Sequence, residues 1–428
     1  MGQVLSEPVT TKDTESYQND LFSVGCSSMQ GWRPQMEDAS CIQLSFNDDP
    51  DSAYFAVFDG HGSQRFSMHC SQELHKQLVA DSSYATGNYE QALINSFLFL
   101  DHKLHTDTSL NYQHEPGGTT AVAVLIKEST IFCANAGDSR AIACVHGNIQ
   151  ELSHDHKPLN PDEEMRIRNA GGWIECNRVN GNLALSRAIG DFTFKENKAL
   201  PPEQQIITAF PDVEVFPLLE DCEFIVVACD GIWDVMSNIE VVEFVRRRIA
   251  NNMSPSLICE ALLDQCLAPD RRMGGLGCDN MTAILVCCLN SEPYSNLVAK
   301  CSRVTTKTTA QIKAHHSWAH RRNNKLIPES DANDHSEEML TYGVSPRSKL
   351  NDTVSGANTD LDSEMASSKE RSIDFTELFV TGVTCIDDSG ARTRRQSASS
   401  SEEEEVFWDE ETLSIELDTS ATPIETMV

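Results

Sequence analysis

The chain has 428 residues, of which 40% are hydrophobic, and it carries a formal net charge of −32 at pH 7. That length suits one large domain with an additional segment, or two domains of ordinary size. So negative a chain is not expected to bind nucleic acid, because contact with phosphates requires a basic surface, whereas it suits a protein that collects cations.

The N-terminus carries a pattern typical of acylation. Residues 1–6, MGQVLS, match M-G-x-x-x-[ST], in which Gly2 is the myristoylated residue; a chance match to this loose pattern is the alternative. A single acyl chain binds membranes weakly, and Lys12 is the only basic residue before Arg33. We therefore expect residues 1–19 to form a flexible N-terminus whose membrane contact is reversible.

Residues 20–292 are expected to form one folded domain in which short apolar runs alternate with helical patterns. In chain order, the predicted strands are residues 52–58, 120–126, 130–136, 141–145, 223–229 and 282–289. The predicted helices are residues 64–80, 89–107, 161–170, 239–250 and 254–268. Several strands are apolar almost throughout, as in sheets covered on both faces. Because helices follow one another in pairs between runs of strands, we expect helical layers outside a β core.

The composition changes towards the C-terminus. We expect residues 293–428 to be a low-complexity acidic tail, mostly disordered, with a short helix near 310–322. Ser397 follows two arginines in RTRRQSASSSEEEE, a pattern favoured by basophilic kinases, and a solvated acidic linker is the alternative. Residues 406–417 mix apolar side chains with acids, which suits binding to a regulatory partner or to the core.

The cysteines and the hydrophobic runs indicate where in the cell the protein is expected. Fifteen cysteines are scattered along the chain, and no two form a C-x-x-C pair. No apolar stretch reaches the roughly 18 residues of a membrane span, and the N-terminus lacks the apolar region of a cleavable signal peptide. We expect reduced thiols in a cytoplasmic protein, partly associated with membranes, and a nuclear location stays open.

Carboxylates stand where apolar strands begin or end. Asp59 follows AYFAVF, Asp230 follows EFIVVAC, Asp279 precedes NMTAILVCCL, and Glu37 and Asp38 precede ASCIQL. Carboxylates that converge from several strands would repel one another unless cations lay among them. Because these ligands offer oxygen and no cysteines or histidines cluster at metal spacing, the pattern favours Mg²⁺ or Mn²⁺ over zinc.

Two of these aspartates are followed by glycine. In Asp59-Gly60 and Asp230-Gly231 the glycine would let the backbone turn tightly and approach a ligand, and the Gly60 carbonyl could itself bind a metal. For a lone Asp-Gly pair a simple turn is the usual explanation. Four carboxylate sites beside strongly apolar strands favour the metal-binding interpretation.

Eight segments together resemble one family. In this order they are MQGWRPQMEDAS, FAVFDGHGS, GGTTAVAVLI, ANAGDSRA, SHDHKPLNPDEEMRIRNAGG, RVNGNLALSRAIGDFTFK, VVACDGIWDVMSN and GCDNMTAILV. The series resembles the PPM or PP2C family of metal-dependent serine/threonine protein phosphatases over about residues 20–290. The resemblance implies an α+β fold, a four-layer α-β-β-α sandwich in which helices flank two central antiparallel β-sheets and metals lie at one end.

The resemblance also implies a ligand set for two metal ions. Asp59 matches the carboxylate that bridges both metals, and Asp230 and Asp279 match further ligands of one of them. The Gly60 carbonyl and Glu37 match the surroundings of the other ion, Glu37 partly through water.

Further positions match the rest of the family site. Asp38 matches a carboxylate that holds metal-bound waters, and Asp138 and Asp234 match a third, weaker metal site, although Asp138 could be only a turn residue. Arg33 matches the arginine that binds substrate phosphate; a surface arginine stacked on a tryptophan is the alternative. His61 matches the proposed general acid; a structural histidine that orients Asp59 is the alternative, and the two roles do not exclude each other.

A mobile flap and one departure complete the comparison. Residues 155–185 match the flap beside the site, and Ser63 stands where the family usually has a second glycine after DGHG. Serine is a good N-cap, so we expect a helix to begin there with little disturbance.

The resemblance implies a protein serine/threonine phosphatase with a monomeric core. It would hydrolyse phosphoserine and phosphothreonine by in-line attack of a water or hydroxide that bridges two Mg²⁺ or Mn²⁺ ions, without a phosphoenzyme intermediate. A catalytically silent scaffold is one alternative, and the intact ligand set counts against it. A phosphatase for a small phosphorylated metabolite or nucleotide is another, but the sequence contains no recognisable segment for binding a base or sugar.

Overall fold

The structure of the protein is a computed structural model that describes residues 5–46, 49–113, 115–270 and 275–303. The predicted sites at Gly2 and Ser397, the predicted helix near 310–322 and residues 406–417 lie outside these ranges. Within the described residues, none of the helices combines the length and hydrophobicity needed to cross a membrane.

The strands and helices of the described residues are numbered here in chain order. The strands are β1 (Val9–Gln18), β2 (Phe22–Gly31), β3 (Ala39–Gln43), β4 (Ser52–Phe58), β5 (Gly60–His61), β6 (Gly118–Thr119), β7 (Ala121–Lys127), β8 (Thr130–Ala136), β9 (Arg140–Val145), β10 (Asn148–Glu151), β11 (Ile174–Glu175), β12 (Arg178–Val179), β13 (Ile189–Gly190), β14 (Asp212–Pro217), β15 (Cys222–Ala228) and β16 (Met281–Cys288). The helices are α1 (Gln64–Ala80), α2 (Ser82–Ala85), α3 (Tyr89–Thr106), α4 (Pro161–Asn169), α5 (Asp230–Trp233), α6 (Asn238–Ala250), α7 (Pro255–Cys266) and α8 (Tyr294–Cys301).

Every strand and helix predicted within residues 20–292 is confirmed to within two residues, but two domain boundaries need correction. Strand β1 lies in the segment expected to be flexible, and it pairs along its length with β2. Helix α8 lies in the segment expected to be tail, and it buries Leu297 and Cys301. The folded part therefore extends beyond residues 20–292 at both ends.

Two antiparallel sheets form the centre of the fold. The first has the strand order β1-β2-β16-β15-β9-β10, and the second has the order β14-β8-β7-β4-β3. A smaller sheet, β13-β6-β5, lies at the end of β4, and β11 and β12 form a hairpin. This arrangement confirms the predicted α+β class.

Strand β15 shows why the central strands are apolar on both faces. Phe224 and Val226 pack with the helical layer that contains α6 and α7, whereas Ile225 and Val227 pack between the two sheets. Alternate residues of a strand point to opposite faces, and burying each large apolar side chain contributes about 1.5–3 kcal/mol. The other sheet packs on α1 and α3 in the same way, which completes the predicted four layers.

Helix α1 begins directly beside the smaller sheet. Ser63 is its N-cap, and the Ser63 hydroxyl accepts a hydrogen bond from Arg65 N and donates one to Glu115 Oε1. The expectation that serine opens a helix at this position is therefore confirmed.

Candidate active site

Four chain segments bring carboxylates to one end of the sandwich. Asp59 directly follows β4, and Asp38 directly precedes β3, which runs antiparallel to β4. Asp230 begins α5 just after β15, and Asp279 lies just before β16, which runs antiparallel to β15. Because the start of one antiparallel strand lies beside the end of its partner, positions distant in sequence meet at one edge.

These segments surround a cavity of about 290 Å³. Eight of the predicted site residues line it, namely Arg33, Glu37, Asp59, Gly60, His61, Asp138, Asp230 and Asp279. Asp38 is buried next to the cavity, with a carboxylate oxygen within 4.8 Å of an Asp59 oxygen. Asp234 does not line the cavity; it is exposed in the turn after α5, and its charge acts on Asp230.

The carboxylates strongly disfavour one another's ionisation. Burial, followed by the charge of Asp230, raises the pKa of Asp59 well above its usual range. Burial and the charge of Asp138 do the same to the pKa of Asp230. Burial also raises the pKa of Asp38 to about 7, with a further contribution from Asp279. These aspartates can all be ionised together only when positive charge lies among them.

The donor atoms suit a hard divalent cation. Asp38 Oδ1 is buried and has no hydrogen-bond partner within the described part of the chain, while Asp38 Oδ2 accepts a hydrogen bond of 2.7 Å from Thr282 Oγ1. Carboxylate oxygens are preferred ligands of Mg²⁺ and Mn²⁺. Cys229 lies in the same group, but burial raises the pKa of its thiol well above the usual range, so its protonated sulfur is a poor ligand.

Arg33 is held at the rim of the cavity by an ion pair. Its Nη2 donates to Asp279 Oδ2, and two fifths of its side chain stays exposed. The neighbouring Trp32 is buried, and its indole Nε1 donates to Ala268 O. Arg33 is therefore an arginine of the site and not a surface residue stacked on tryptophan.

Sequence reasoning misses two polar residues that hold the site together. Asn280 Nδ2 donates to Gln30 O and Gln35 O, and Asn280 Oδ1 accepts from Glu37 N. Thr120 Oγ1 accepts from Asp59 N. Their signal in the sequence is weak, because Asn280 differs from other asparagines only by following Asp279.

His61 pairs with a residue far along the chain. Its Nε2 lies 2.7 Å from Asp191 Oδ2. Burial lowers the pKa of His61, but the charge and hydrogen bond of Asp191, assisted by Asp138 and Glu37, outweigh this and raise that pKa above its usual value. The alternative that His61 orients Asp59 does not hold, because the carboxylate bonded to the ring is Asp191.

Asp138 already has a cationic partner. Lys157 Nζ donates to Asp138 Oδ2, and the aspartate is almost completely buried. Burial lowers the pKa of Lys157, but the charge of Asp138 and its hydrogen bond raise that pKa to about 12. Asp138 is therefore more than a turn residue, since its charge is balanced by lysine at the predicted third metal site.

The segment predicted as a flap carries its own small core. Ile167 and Val179 of the segment pack with Ala188 and Ile207. Arg178 and residues 183–185 reach the cavity and form part of its lining. The segment thus lies beside the site, as expected.

Comparisons with known proteins agree on one family. The model of the protein phosphatase 2C family matches residues 22–273. A probable protein phosphatase 2C of Caenorhabditis elegans is 54% identical over 303 residues, which cover 71% of this chain and 85% of the relative. Protein phosphatase 2C homolog 2 of Schizosaccharomyces pombe is 48% identical over 297 residues, which cover 68% of this chain and 80% of the relative.

Solved structures support the same conclusion. A phosphatase from a pathogenic strain of Toxoplasma gondii matches with a TM-score of 0.55 and 26% identity, covering 65% of this chain and 96% of that one. A sex determining protein of C. elegans matches with a TM-score of 0.56 and 22% identity, covering 67% of this chain and 69% of that one, which supports the fold alone. Since the family match spans most of the sandwich and the relatives share about half of its sequence, the chain belongs to the protein phosphatase 2C family.

Proposed function

We propose that this protein phosphatase hydrolyses phosphoserine and phosphothreonine in proteins with two divalent ions, Mg²⁺ or Mn²⁺, by in-line attack of water and without a phosphoenzyme intermediate. The observation that carries the proposal is the convergence of Asp59, Asp230 and Asp279 around one cavity that Arg33 and His61 also line. Carboxylates, a guanidinium and an imidazole are the groups that this reaction requires.

Each carboxylate has a distinct part in holding the ions. Asp59, Asp230, Asp279 and the carbonyl of Gly60 would be direct ligands, and Glu37 would contribute partly through water. Asp38, with its unpaired oxygen, would hold a water beside them. When bound, the ions supply a water of lowered pKa as the nucleophile and neutralise charge on the phosphoryl oxygens.

A third, weaker ion would compete with a lysine for one of its carboxylate ligands. Asp138 and Asp234 would hold it, but the ammonium group of Lys157 is paired with Asp138. An ion that binds there would share the Asp138 carboxylate with the lysine, whose positive charge would make that site weaker than the first two.

Arg33 orients the phosphoryl group. A guanidinium binds two phosphate oxygens as a planar fork, which a lysine cannot reproduce. Its exposed fraction leaves donors available while Asp279 holds Nη2. Arg33 would thus align the phosphorus within the cavity that the carboxylates also line.

His61 supplies the proton that the leaving group needs. A serine or threonine alkoxide is too basic to leave readily, so proton donation lowers the barrier. An imidazole changes charge near neutral pH and can both give and regain that proton.

The first test is release of phosphate from a phosphothreonine peptide with Mn²⁺. We expect activity in the wild type and its loss with EDTA or in the variant Asp59→Asn, together with weaker Mn²⁺ binding in that variant by calorimetry. A folded, metal-loaded wild type that is inactive on every phosphopeptide would contradict the proposal and favour a scaffold. Faster hydrolysis of small phosphate esters than of peptides would favour a metabolite phosphatase.

Predictions for the chain termini add to this proposal. We propose reversible membrane contact through myristoylated Gly2, regulation through phosphorylation of Ser397, and binding of partners to the acidic tail of a monomeric, cytoplasmic enzyme. Mass spectrometry of the full-length protein from cells tests both modifications, and an unmodified glycine and serine would contradict them.

A further inference from the structure

The partner of His61 is a buried carboxylate that the reaction as described does not use. Asp191 Oδ2 lies 2.7 Å from His61 Nε2, although 130 residues separate them in the chain. The Asp191 side chain is 6% exposed, against 26% for His61. Because a carboxylate oxygen accepts hydrogen bonds, this contact keeps a proton on Nε2 of the ring.

The smaller sheet brings the two side chains together. Gly118 of β6 pairs with His61 on one side and with Gly190 on the other. A Cβ atom on Gly118 would lie 2.7 Å from Asp191 Oδ2, and one on Gly117 would lie 2.0 Å from His61 O. A side chain at Gly118 would therefore collide with the carboxylate, and one at Gly117 would collide with the backbone that carries the ring.

Asp191 itself adopts an unusual backbone conformation. Its φ is 51°, in the left-handed region that few residues other than glycine adopt. The backbone is fixed there, because Asp191 N donates a bond of 2.8 Å to Gly117 O. Conformations of this kind persist where the surrounding structure enforces them, and they cluster at functional sites.

A second aspartate anchors the same segment from the other side. Asp101 of α3 accepts hydrogen bonds from Gly190 N at 2.8 Å and from Lys195 Nζ at 2.7 Å. Asp191 is thus carried on a rigid support, which is what an orienting group requires. Asp101 offers a matched control, since it stabilises the segment without contacting His61.

We propose that Asp191 is the positioning residue of His61, fixing the ring so that Nδ1 is the nitrogen that delivers the proton to the leaving oxygen. This inference rests on the proposed acid role of His61. As the oxygen of water bonds to phosphorus, the bond from phosphorus to the serine or threonine oxygen breaks. That leaving oxygen takes the bonding electrons and the proton from Nδ1, and the phosphate product keeps the protons of the attacking water. The neutral ring then keeps its remaining proton on Nε2, bonded to Asp191, and regains the other from solvent.

The variant Asp191→Asn tests the proposal with two substrates. Asparagine tolerates the left-handed conformation, so the fold is retained, but the charge that holds the Nε2 proton is lost. We expect kcat on a phosphothreonine peptide to fall about 10²-fold, the lower end of the effect of general acid catalysis. On p-nitrophenyl phosphate, whose leaving group departs without a proton, kcat should change little.

Two further variants separate positioning from structural damage. Asp101→Asn perturbs the same segment, and we expect any effect on kcat to be equal for both substrates. Adding Asp191→Asn to His61→Gln should slow the peptide reaction no further, because the two residues act as one unit. Equal slowing of both substrates by Asp191→Asn, or additive effects in the double variant, would overturn the inference.

A spectroscopic measurement tests the hydrogen bond independently of activity. In the Mg²⁺-loaded full-length protein labelled with ¹⁵N-histidine, the His61 signals, assigned by their absence in His61→Gln, should show Nε2 protonated. Asp191→Asn should shift that signal, and no shift would overturn the inference. If His61 is not the acid, the results differ. His61→Gln would then slow both substrates equally, while Asp191→Asn would still shift the His61 signal. That outcome would contradict the positioning role as well as the acid role.

Discussion

Gly231 follows Asp230 where β15 passes into α5, and it is a glycine for a reason that involves a distant residue. Its φ is not in the left-handed region, so no tight turn requires it. Instead, a Cβ atom there would lie 2.0 Å from the carbonyl oxygen of Asn280. The same holds for Gly60, where a Cβ would lie 2.3 Å from Glu37 O. Both glycines allow one carboxylate-bearing backbone to pack on another.

We therefore expect Gly231→Ala to damage both stability and metal binding. Overpacking of this kind typically costs about 1–3 kcal/mol, and the forced shift would separate Asp230 from Asp279. Urea unfolding and Mn²⁺ calorimetry measure the two effects. A variant with wild-type stability and wild-type Mn²⁺ affinity would show that the close approach is unimportant.

At the scale of elements, strand prediction follows continuous apolar runs and not burial alone, because β2 (FSVGCSSMQG) is mostly buried but is interrupted by serines and glycines, and its pattern does not predict a strand. Strand β15 is apolar except for Glu223, because helices cover one face and the other sheet covers the second. Strand β1, with the sequence VTTKDTESYQ, is mostly exposed at a sheet edge and held by backbone pairing to β2. A polar edge strand carries no hydrophobic pattern, so the sequence offered no basis for predicting it.

Helix α4 is tied to the chain beyond the flap by a buried ion-pair group. Glu163 Oε1 accepts from Arg166 Nη1 at 2.7 Å and from Arg187 Nη2 at 2.8 Å. Burial alone would raise the pKa of Glu163, but the hydrogen bond from Arg187 and the charges of both arginines lower it to about 2. The group thus stabilises the ionised carboxylate.

This group predicts a pH dependence of stability. Because the folded pKa is depressed, its contribution is present above the ordinary pKa of 4.5 and is lost as pH falls from there towards 2. Complete loss of this contribution would lower the free energy of unfolding by about 3 kcal/mol. Urea unfolding between pH 6 and pH 3 should show wild type losing more stability than Glu163→Gln. Parallel pH profiles would contradict the assignment.

At the scale of the whole molecule, the net charge of −32 and the buried carboxylates predict that stability depends on divalent ions. Ions that bind only the folded state stabilise it by about 2.7 kcal/mol at a concentration 100 times Kd. We expect EDTA to lower Tm and Mn²⁺ to restore it. Equal Tm values with EDTA and with Mn²⁺ would contradict a bound ion.

Asp38→Asn should make the stability of the protein depend less on divalent ions. Without ions, the variant removes a buried charge whose pKa is raised to about 7, so it should unfold at higher urea than wild type in EDTA. Addition of Mn²⁺ should stabilise the variant against urea less than it stabilises wild type. A variant less stable than wild type in EDTA would show that repulsion among the carboxylates is not the dominant cost.

The sequence by itself determined the carboxylates at the strand ends, the apolar central strands and the family, because these features repeat in local patterns along the chain. Tertiary structure decided which partners those residues meet. Asp191 lies 130 residues from its partner His61 in the chain, and Lys157 donates a hydrogen bond to the carboxylate of Asp138. Such pairs depend on strand register and on close approaches of backbone that glycines permit, and neither leaves a mark in local hydrophobicity or spacing.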